Sequence, residues 1–317
     1  MLLRDAVPGR GRARTGGGSG VSIRVSPGEL ARVRTRHPQA IAEAAERRVR
    51  RPLVRGGGRL LIIAADHPAR GALGVGEDAF AMADRRVLLE RLCLALSRPG
   101  VDGVLASADI LEDLLLLGAL DDKVVIGSMN RGGLAGAAFE LDDRFTGHRA
   151  QDLARLGFDA GKLLLRVDYD DPGSLRTLHS AARAIDEMAE RRLPVFVEPF
   201  ICHRRDGRVH NDLSAEAVTR SLAIASGLAG TSAYTWLKVP VTEDPDDMAR
   251  VMATTTLPAV LLGGDVGGTP AEQEAAYEKW RSALQLPTVQ GLVAGRTLLY
   301  PADGDVAGAV DTAAGLL

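Results

Sequence analysis

The sequence predicts an α/β fold of the (β/α)8-barrel class, a single domain with an extra N-terminal helix. Three observations point there. Eight short apolar runs alternate with amphipathic stretches from residue 60 to the C-terminal region. The runs are near-continuous in Val, Ile and Leu, as suits strands buried on both faces of a parallel sheet. Polar residues collect where the runs end, at Asp66, Ser107, Asn130, Asp168, Glu198, Lys238, Asp265 and Arg296. In such a barrel the C-terminal ends of the strands carry the active site. For any one of these residues the alternative is that a strand end is simply where a chain turns polar.

Taken in chain order, residues 1–25 are rich in Arg and Gly and lack the apolar core of a signal peptide, so a disordered tail or a mis-assigned start is expected. Residues 26–55 are expected to be a helical extension beneath the barrel. Ser26 is its N-cap, Pro27 lies in its first turn and Glu29 is at the capping-box position, and the helix is predicted to run to about Arg50. The barrel is assigned to 56–317. Its strands are predicted over 60–66, 102–107, 123–128, 162–168, 194–200, 234–240, 259–265 and 289–295. Helices are predicted over 84–97, 109–118, 146–156, 173–191, 214–226, 244–254 and 269–284. The first turn, Asp66-His67-Pro68-Ala69-Arg70-Gly71, is not GxGxxG, which argues against a dinucleotide fold.

The 317 residues carry a formal net charge of −2 and 4% aromatic residues. No global basic field draws nucleic acid or an anionic membrane, and stacking platforms for single strands are scarce. No apolar run is long enough for a membrane span. Cys93 and Cys202 lack CxxC spacing, which predicts reduced thiols in a cytoplasmic protein with no metal and no cofactor.

Lys238 is the first candidate for chemistry. Alternation in 234–240 places Trp236, Lys238 and Pro240 on one face and Leu237 and Val239 on the other. Burial disfavours an ammonium and exposes a neutral amine, the species that attacks a carbonyl to form a Schiff base. The competing reading is a lysine that snorkels to the barrel mouth or pairs with a carboxylate. Lys162 shares a face with Leu164, Arg166 and Asp168. It is either a second cation beside Lys238 or a residue of the barrel floor. Glu198, grouped with Phe196 and Phe200, is a candidate acid/base whose carboxyl the aromatic rings are expected to raise; otherwise it is a partner for Lys162 or Arg166. Asp66 either orients a substrate hydroxyl, pairs with a lysine or caps a turn.

The glycine-rich run 263–268 and the pair Gly295-Arg296 end the seventh and eighth runs. The loops after those strands often hold phosphate in such barrels, which makes Gly264, Asp265, Gly295 and Arg296 candidate ligands. Tight turns needing positive φ are the alternative. The basic segment 201–210 brings Arg204 and Arg205 forward as contacts for a second anionic group of the substrate.

Three segments carry a family resemblance: Leu237-Lys238-Val239-Pro240-Val241, residues 257–266, and Gly291-Leu292-Val293-Ala294-Gly295-Arg296-Thr297. Ala65 to Gly71, residues 161–168 and Val197-Glu198-Pro199 extend it. These resemble the class I aldolases of the tagatose 1,6-bisphosphate and deoxyribose-phosphate aldolase superfamily, and more narrowly an actinobacterial aldolase-like branch associated with inositol breakdown. The resemblance spans about residues 55–300. It implies that Lys238 forms the Schiff base with Lys162 beside it, that Glu198 is the acid/base, and that Gly264, Gly295 and Arg296 hold a substrate phosphate. Two departures bear on the substrate more than on the lysine. The first motif reads Asp-His-Pro-Ala-Arg-Gly where the tagatose enzymes have Asp-Gln-Arg-Gly, and the fifth-strand loop is unusually basic.

The expected function is therefore a lyase. It would cleave a C–C bond of a phosphorylated ketose or keto-sugar acid through a lysine Schiff base, in inositol or other carbohydrate breakdown, and assemble as a homo-oligomer. Two rival readings stand beside it. One is a metal-dependent barrel enzyme using His67, His203 and His210, although no HxH or HxxxH spacing supports it. The other is a non-catalytic sugar-phosphate sensor.

Overall fold

A computed structural model describes residues 26–264 and 269–317. The expectations for residues 1–25 and for Asp265 lie outside the described residues. Among those described, eight parallel strands close into the predicted barrel. They are β1 (Leu60–Ala65), β2 (Gly103–Ala106), β3 (Val124–Ser128), β4 (Ala160–Val167), β5 (Val195–Arg205), β7 (Thr235–Val239), β8 (Ala259–Leu262) and β9 (Val289–Ala294). Neighbours run β4-β3-β2-β1-β9-β8-β7-β5, and the β4–β5 pairing closes the ring.

Strand alternation divides the apolar residues into two cores. Leu60, Ile62 and Ala64 of β1 point inward with Leu105, Ile126, Phe196 and Val260. Leu61, Ile63 and Ala65 point outward into the layer beneath the helices. The helices after the strands include α3 (Arg85–Ser97), α4 (Ala108–Leu116), α5 (Ala150–Arg155), α6 (Gly173–Glu190), α7 (Ala215–Ser226), α8 (Pro245–Met252) and α9 (Pro270–Ala283). Asp84, Ser214, Asp244 and Thr269 cap α3, α7, α8 and α9 through their side chains, accepting backbone N–H groups of the first turn.

The barrel closes tightly between β9 and β1. Gly291 has φ +147°, and a Cβ there would stand 2.1 Å from the Leu60 carbonyl oxygen. Gly291→Ala therefore combines backbone strain with a clash against a strand that cannot withdraw. The expected loss is roughly 3 kcal/mol or more, read as a lower denaturant midpoint. An unchanged midpoint would contradict this account of closure.

The N-terminal extension departs from the single helix expected. It forms a 3-10 turn (Pro27–Glu29), α1 (Leu30–Arg36) and α2 (Ala40–Arg47). His37 leaves helical geometry at φ −142°, ψ 57°, because a residue before proline is pushed out of the α region. The chain then crosses the floor. Arg48, whose side chain is 1% exposed, pairs with Asp159 and donates to the Lys123 carbonyl. Arg51 pairs with Asp102, which also accepts the Leu61 amide. Leu53 and Val54 pack against the inner core.

At the other end β5 continues past the rim and pairs antiparallel with β6 (Arg208–Asn211). Asp206 and Gly207 both have positive φ, the two-residue hairpin turn that Asp-Gly favours. The basic stretch expected to be a loop is thus a projecting hairpin. Two C-terminal helices without a sequence expectation, α10 (Arg296–Leu299) and α11 (Val306–Ala314), complete the fold. Among the described residues no helix is long and apolar enough to cross a membrane.

Candidate active site

A cavity of about 620 Å3 opens at the C-terminal end of the strands. Lys238 reaches it from β7, one of the shorter strands, where Trp236 beneath it packs in the inner core and Pro240 above it lines the cavity. Pairing of Phe196 with Trp236 and Val197 with Leu237 brings Glu198 of β5 level with Lys238. The Lys238 ammonium donates to Glu198 Oε1. Lys162, one step lower on β4, reaches up to the other carboxylate oxygen of Glu198 and donates to Asp66 Oδ2 at 3.1 Å. Four buried side chains from four strands thus form one chain of alternating charge: Asp66, Lys162, Glu198, Lys238.

Each charge in that chain is set by its neighbours. Burial pushes the Glu198 carboxyl up, but the Lys162 and Lys238 ammonium groups overcome burial and bring it down to about 2. The raised carboxyl expected from Phe196 and Phe200 is therefore corrected: two cations in contact outweigh two rings. Asp66 follows the same logic. Burial opposes its ionisation, yet Arg131, with Nη2 at 3.0 Å, and Lys162 hold it well below the ordinary carboxylate range. Ser128 also donates to it, at 3.2 Å. For Lys162 burial is the largest influence and lowers the ammonium, against the pull of Asp66 and Glu198.

His67 lines the cavity beside this chain. Burial, with Arg296 and the two lysines nearby, pushes its imidazole down to about 3 against the attraction of Asp66. The ring is thus expected to stay neutral across the pH 5 to 8 range, with no ring-proton shift over it in NMR titration. A midpoint near the ordinary 6.5 would show that the cavity wall is wetter than this packing implies.

Gly264, Gly295 and Arg296 line the arc of the wall between β7 and β1, at the ends of β8 and β9. Gly295 has no room for a side chain, since a Cβ would stand 2.4 Å from the Ala64 carbonyl oxygen. Gly264 faces open space at φ +71°. Other strand-end residues serve the fold. Asn130 bonds both backbone groups of Leu164, Ser107 bonds Asp109, and Asp168 accepts the amides of Asp170 and Arg204.

The expected roles of Arg204 and Arg205 need correction, because neither lines the cavity. Arg204 is spent on the carbonyls of Ala137, Ala138 and Gly207 and lies 3.5 Å from Asp171. The reason is the hairpin, which carries both residues past the mouth. His203 and His210 face each other across that hairpin, away from His67 in the cavity. Among the described residues no group of three or more His, Cys, Asp or Glu side chains is placed to hold a metal ion.

Arg70, Arg131 and Lys279 line the cavity and were not singled out as site residues from the sequence. Arg166 joins them, although it was read only as a structural partner. The available signal for Arg131 was its place directly after the polar strand end at Asn130. Together with Lys162, Lys238 and Arg296 these make seven cations on the described wall. Asp66, Glu198, Glu243 and Glu272 make four carboxylates there. The surplus selects anionic ligands.

A closed parallel barrel with this architecture resembles the fold of the class I, Schiff-base aldolases. The Cgl0159-like family matches residues 58–314, and the chain belongs to that family. The crystal structure of Cgl0159 from Corynebacterium glutamicum is 52% identical, with a TM-score of 0.88 over 92% of this chain and 97% of that one. A Schiff-base-forming fructose-1,6-bisphosphate aldolase is 20% identical, with a TM-score of 0.62 over 87% of this chain and 99% of the other. The fructose-bisphosphate aldolase of Slackia heliotrinireducens is 14% identical, with a TM-score of 0.59 over 91% and 86%. No curated protein matches the chain.

Proposed function

We propose that the protein is a class I aldolase that cleaves a C–C bond of a phosphorylated ketose or keto-sugar acid. The observation that carries this reading is the buried Lys238–Glu198–Lys162–Asp66 chain on the cavity wall. Lys238 gives a proton to the Glu198 carboxylate and attacks the substrate ketone as the neutral amine, and Glu198 passes that proton to the carbinolamine hydroxyl. Loss of water leaves a protonated imine. Glu198, held ionised, accepts the proton of the hydroxyl on the carbon that departs as aldehyde. The bonding pair of the breaking C–C bond flows into the iminium and forms an enamine. Glu198 returns the proton to the enamine carbon, and addition of water then releases the second product and restores the amine. Lys162 and Asp66 hold the Glu198 carboxylate in place and keep its charge balanced. Gly264, Gly295 and Arg296 hold the phosphate, joined by Asp265 in this reading.

The surplus of cations on the wall supports a phosphorylated substrate. The assignment to inositol or other carbohydrate breakdown is supported by the sequence resemblance alone. The test is borohydride trapping. The protein is incubated with dihydroxyacetone phosphate and a panel of keto-sugar phosphates, then reduced and mapped by mass spectrometry. An irreversible adduct on Lys238 is the expected result. An adduct on Lys162 instead, or turnover of a sugar phosphate without any adduct, would overturn the assignment.

A further inference from the structure

In a ring of eight strands, members four places apart face each other. By that count β3 stands opposite β8, and β4 opposite β9. The side facing Gly264, Gly295 and Arg296 is therefore the side of β3 and β4, and it is built of guanidinium groups. Arg131 follows β3. Arg166 lies on β4, four residues and so about 13 Å further along the strand than Lys162, toward the mouth. Arg70 crosses from the loop after β1 to join them.

Few carboxylates balance this group. Glu140 pairs with Arg166 and also accepts from Arg70 at 3.3 Å. Asp66 meets Arg131 but is already held by Lys162. Asp143 accepts the Gly133 amide and attracts Arg70 only from beyond ion-pair distance, while Asp168 and Asp171 are engaged with Arg204. Arg131 and Arg166 are 7% and 4% exposed, and among the described residues the Nε of each has no hydrogen-bond partner. Burial and the two neighbouring guanidinium groups bring Arg70 down to about 10. Three cations gathered at the wall of a cavity and undersupplied with counter-charge form a ready oxyanion site.

We infer that Arg70, Arg131 and Arg166 form a second oxyanion subsite, so that the substrate carries an anionic group at each end of its carbon chain. One end is the phosphate at Arg296; the other is a carboxylate or a second phosphate at the guanidinium wall. This rests on the proposed reading of the cavity as a sugar-phosphate site, but not on imine chemistry.

Three six-carbon probes without a ketone test it by calorimetry: glucitol 6-phosphate, 6-phosphogluconate and glucitol 1,6-bisphosphate. The first has one anionic end and the others have two, carboxylate in one case and phosphate in the other. At least one of the two-ended probes is expected to bind the wild-type protein about ten- to a hundred-fold more tightly than glucitol 6-phosphate. Which of them gains tells carboxylate from phosphate. Arg166→Gln and Arg70→Gln are expected to erase that preference, whereas Arg296→Gln weakens all three probes. Equal affinities for the three probes in the wild-type protein would overturn the subsite with no variant needed, as would arginine variants that weaken all three alike. None of the probes can form an imine, so failure here leaves the Lys238 assignment standing, and failed trapping leaves this subsite standing.

Discussion

Lys238→Ala is expected to lower turnover by about 10,000-fold or more and to abolish the borohydride adduct, because in the proposed mechanism it removes the bond-forming atom itself. The same substitution is expected to leave the fold intact. Glu198 keeps its contact with Lys162, so no buried carboxylate is stranded. Substrate binding is also expected to survive, since the proposed phosphate contacts lie at the ends of β8 and β9 rather than on β7 itself. The decisive pattern is a collapsed kcat with near-normal affinity for glucitol 6-phosphate and a normal denaturation midpoint. If turnover survives in the variant, the nucleophile is elsewhere. Lys162→Ala then becomes the informative comparison, since Lys162 is the other amine on the same carboxylate.

Glu198→Ala is expected to be damaging in a different way. The carboxylate separates two buried ammonium groups, and its removal leaves Lys238 without its hydrogen-bonded partner. Breaking a buried pair by deleting one member costs about 3–5 kcal/mol. Loss of the proposed proton acceptor is expected to add a fall in kcat of about 100- to 10,000-fold. Glu198→Gln keeps the shape, loses the charge and separates the two effects: less stability is lost, and the catalytic fall remains.

The pH dependence has a definite sign. The Glu198 carboxyl is lowered from 4.5 to about 2 in the folded protein. Its contribution to stability is therefore complete above about 4.5 and is lost as pH falls toward 2. Asp66 is lowered too and acts in the same direction. Urea midpoints measured across that window are expected to fall more steeply for the wild-type protein than for Glu198→Gln. Parallel curves would mean that Glu198 is not held by the two lysines.

The fold was legible in the sequence because strand alternation and apolar runs are local properties. The run at 60–66 is apolar at every position up to Asp66, and such a run needs no knowledge of its neighbours to be recognised as a strand buried on both faces. Where expectation and structure part, a local signal was missed or another element intervened. Pro38 breaks the N-terminal helix, and Asp206-Gly207 turns a supposed loop into a hairpin. Both signals were in the sequence and were outweighed by the composition around them.

By itself, then, the sequence determined the barrel and which side chains of each strand face inward, since period-two alternation depends on nothing beyond the strand. Only the tertiary structure decided which of those side chains share charge. Asp66 and Lys162 are 96 residues apart and meet at 3.1 Å, and Arg166 meets Glu140 rather than Glu198. It also lowered the Glu198 carboxyl that two aromatic neighbours suggested would rise, and set Arg70, Arg131 and Arg166 on the cavity wall rather than Arg204. The physical reason is that electrostatic energy depends on distances through space and on burial, and barrel closure sets both.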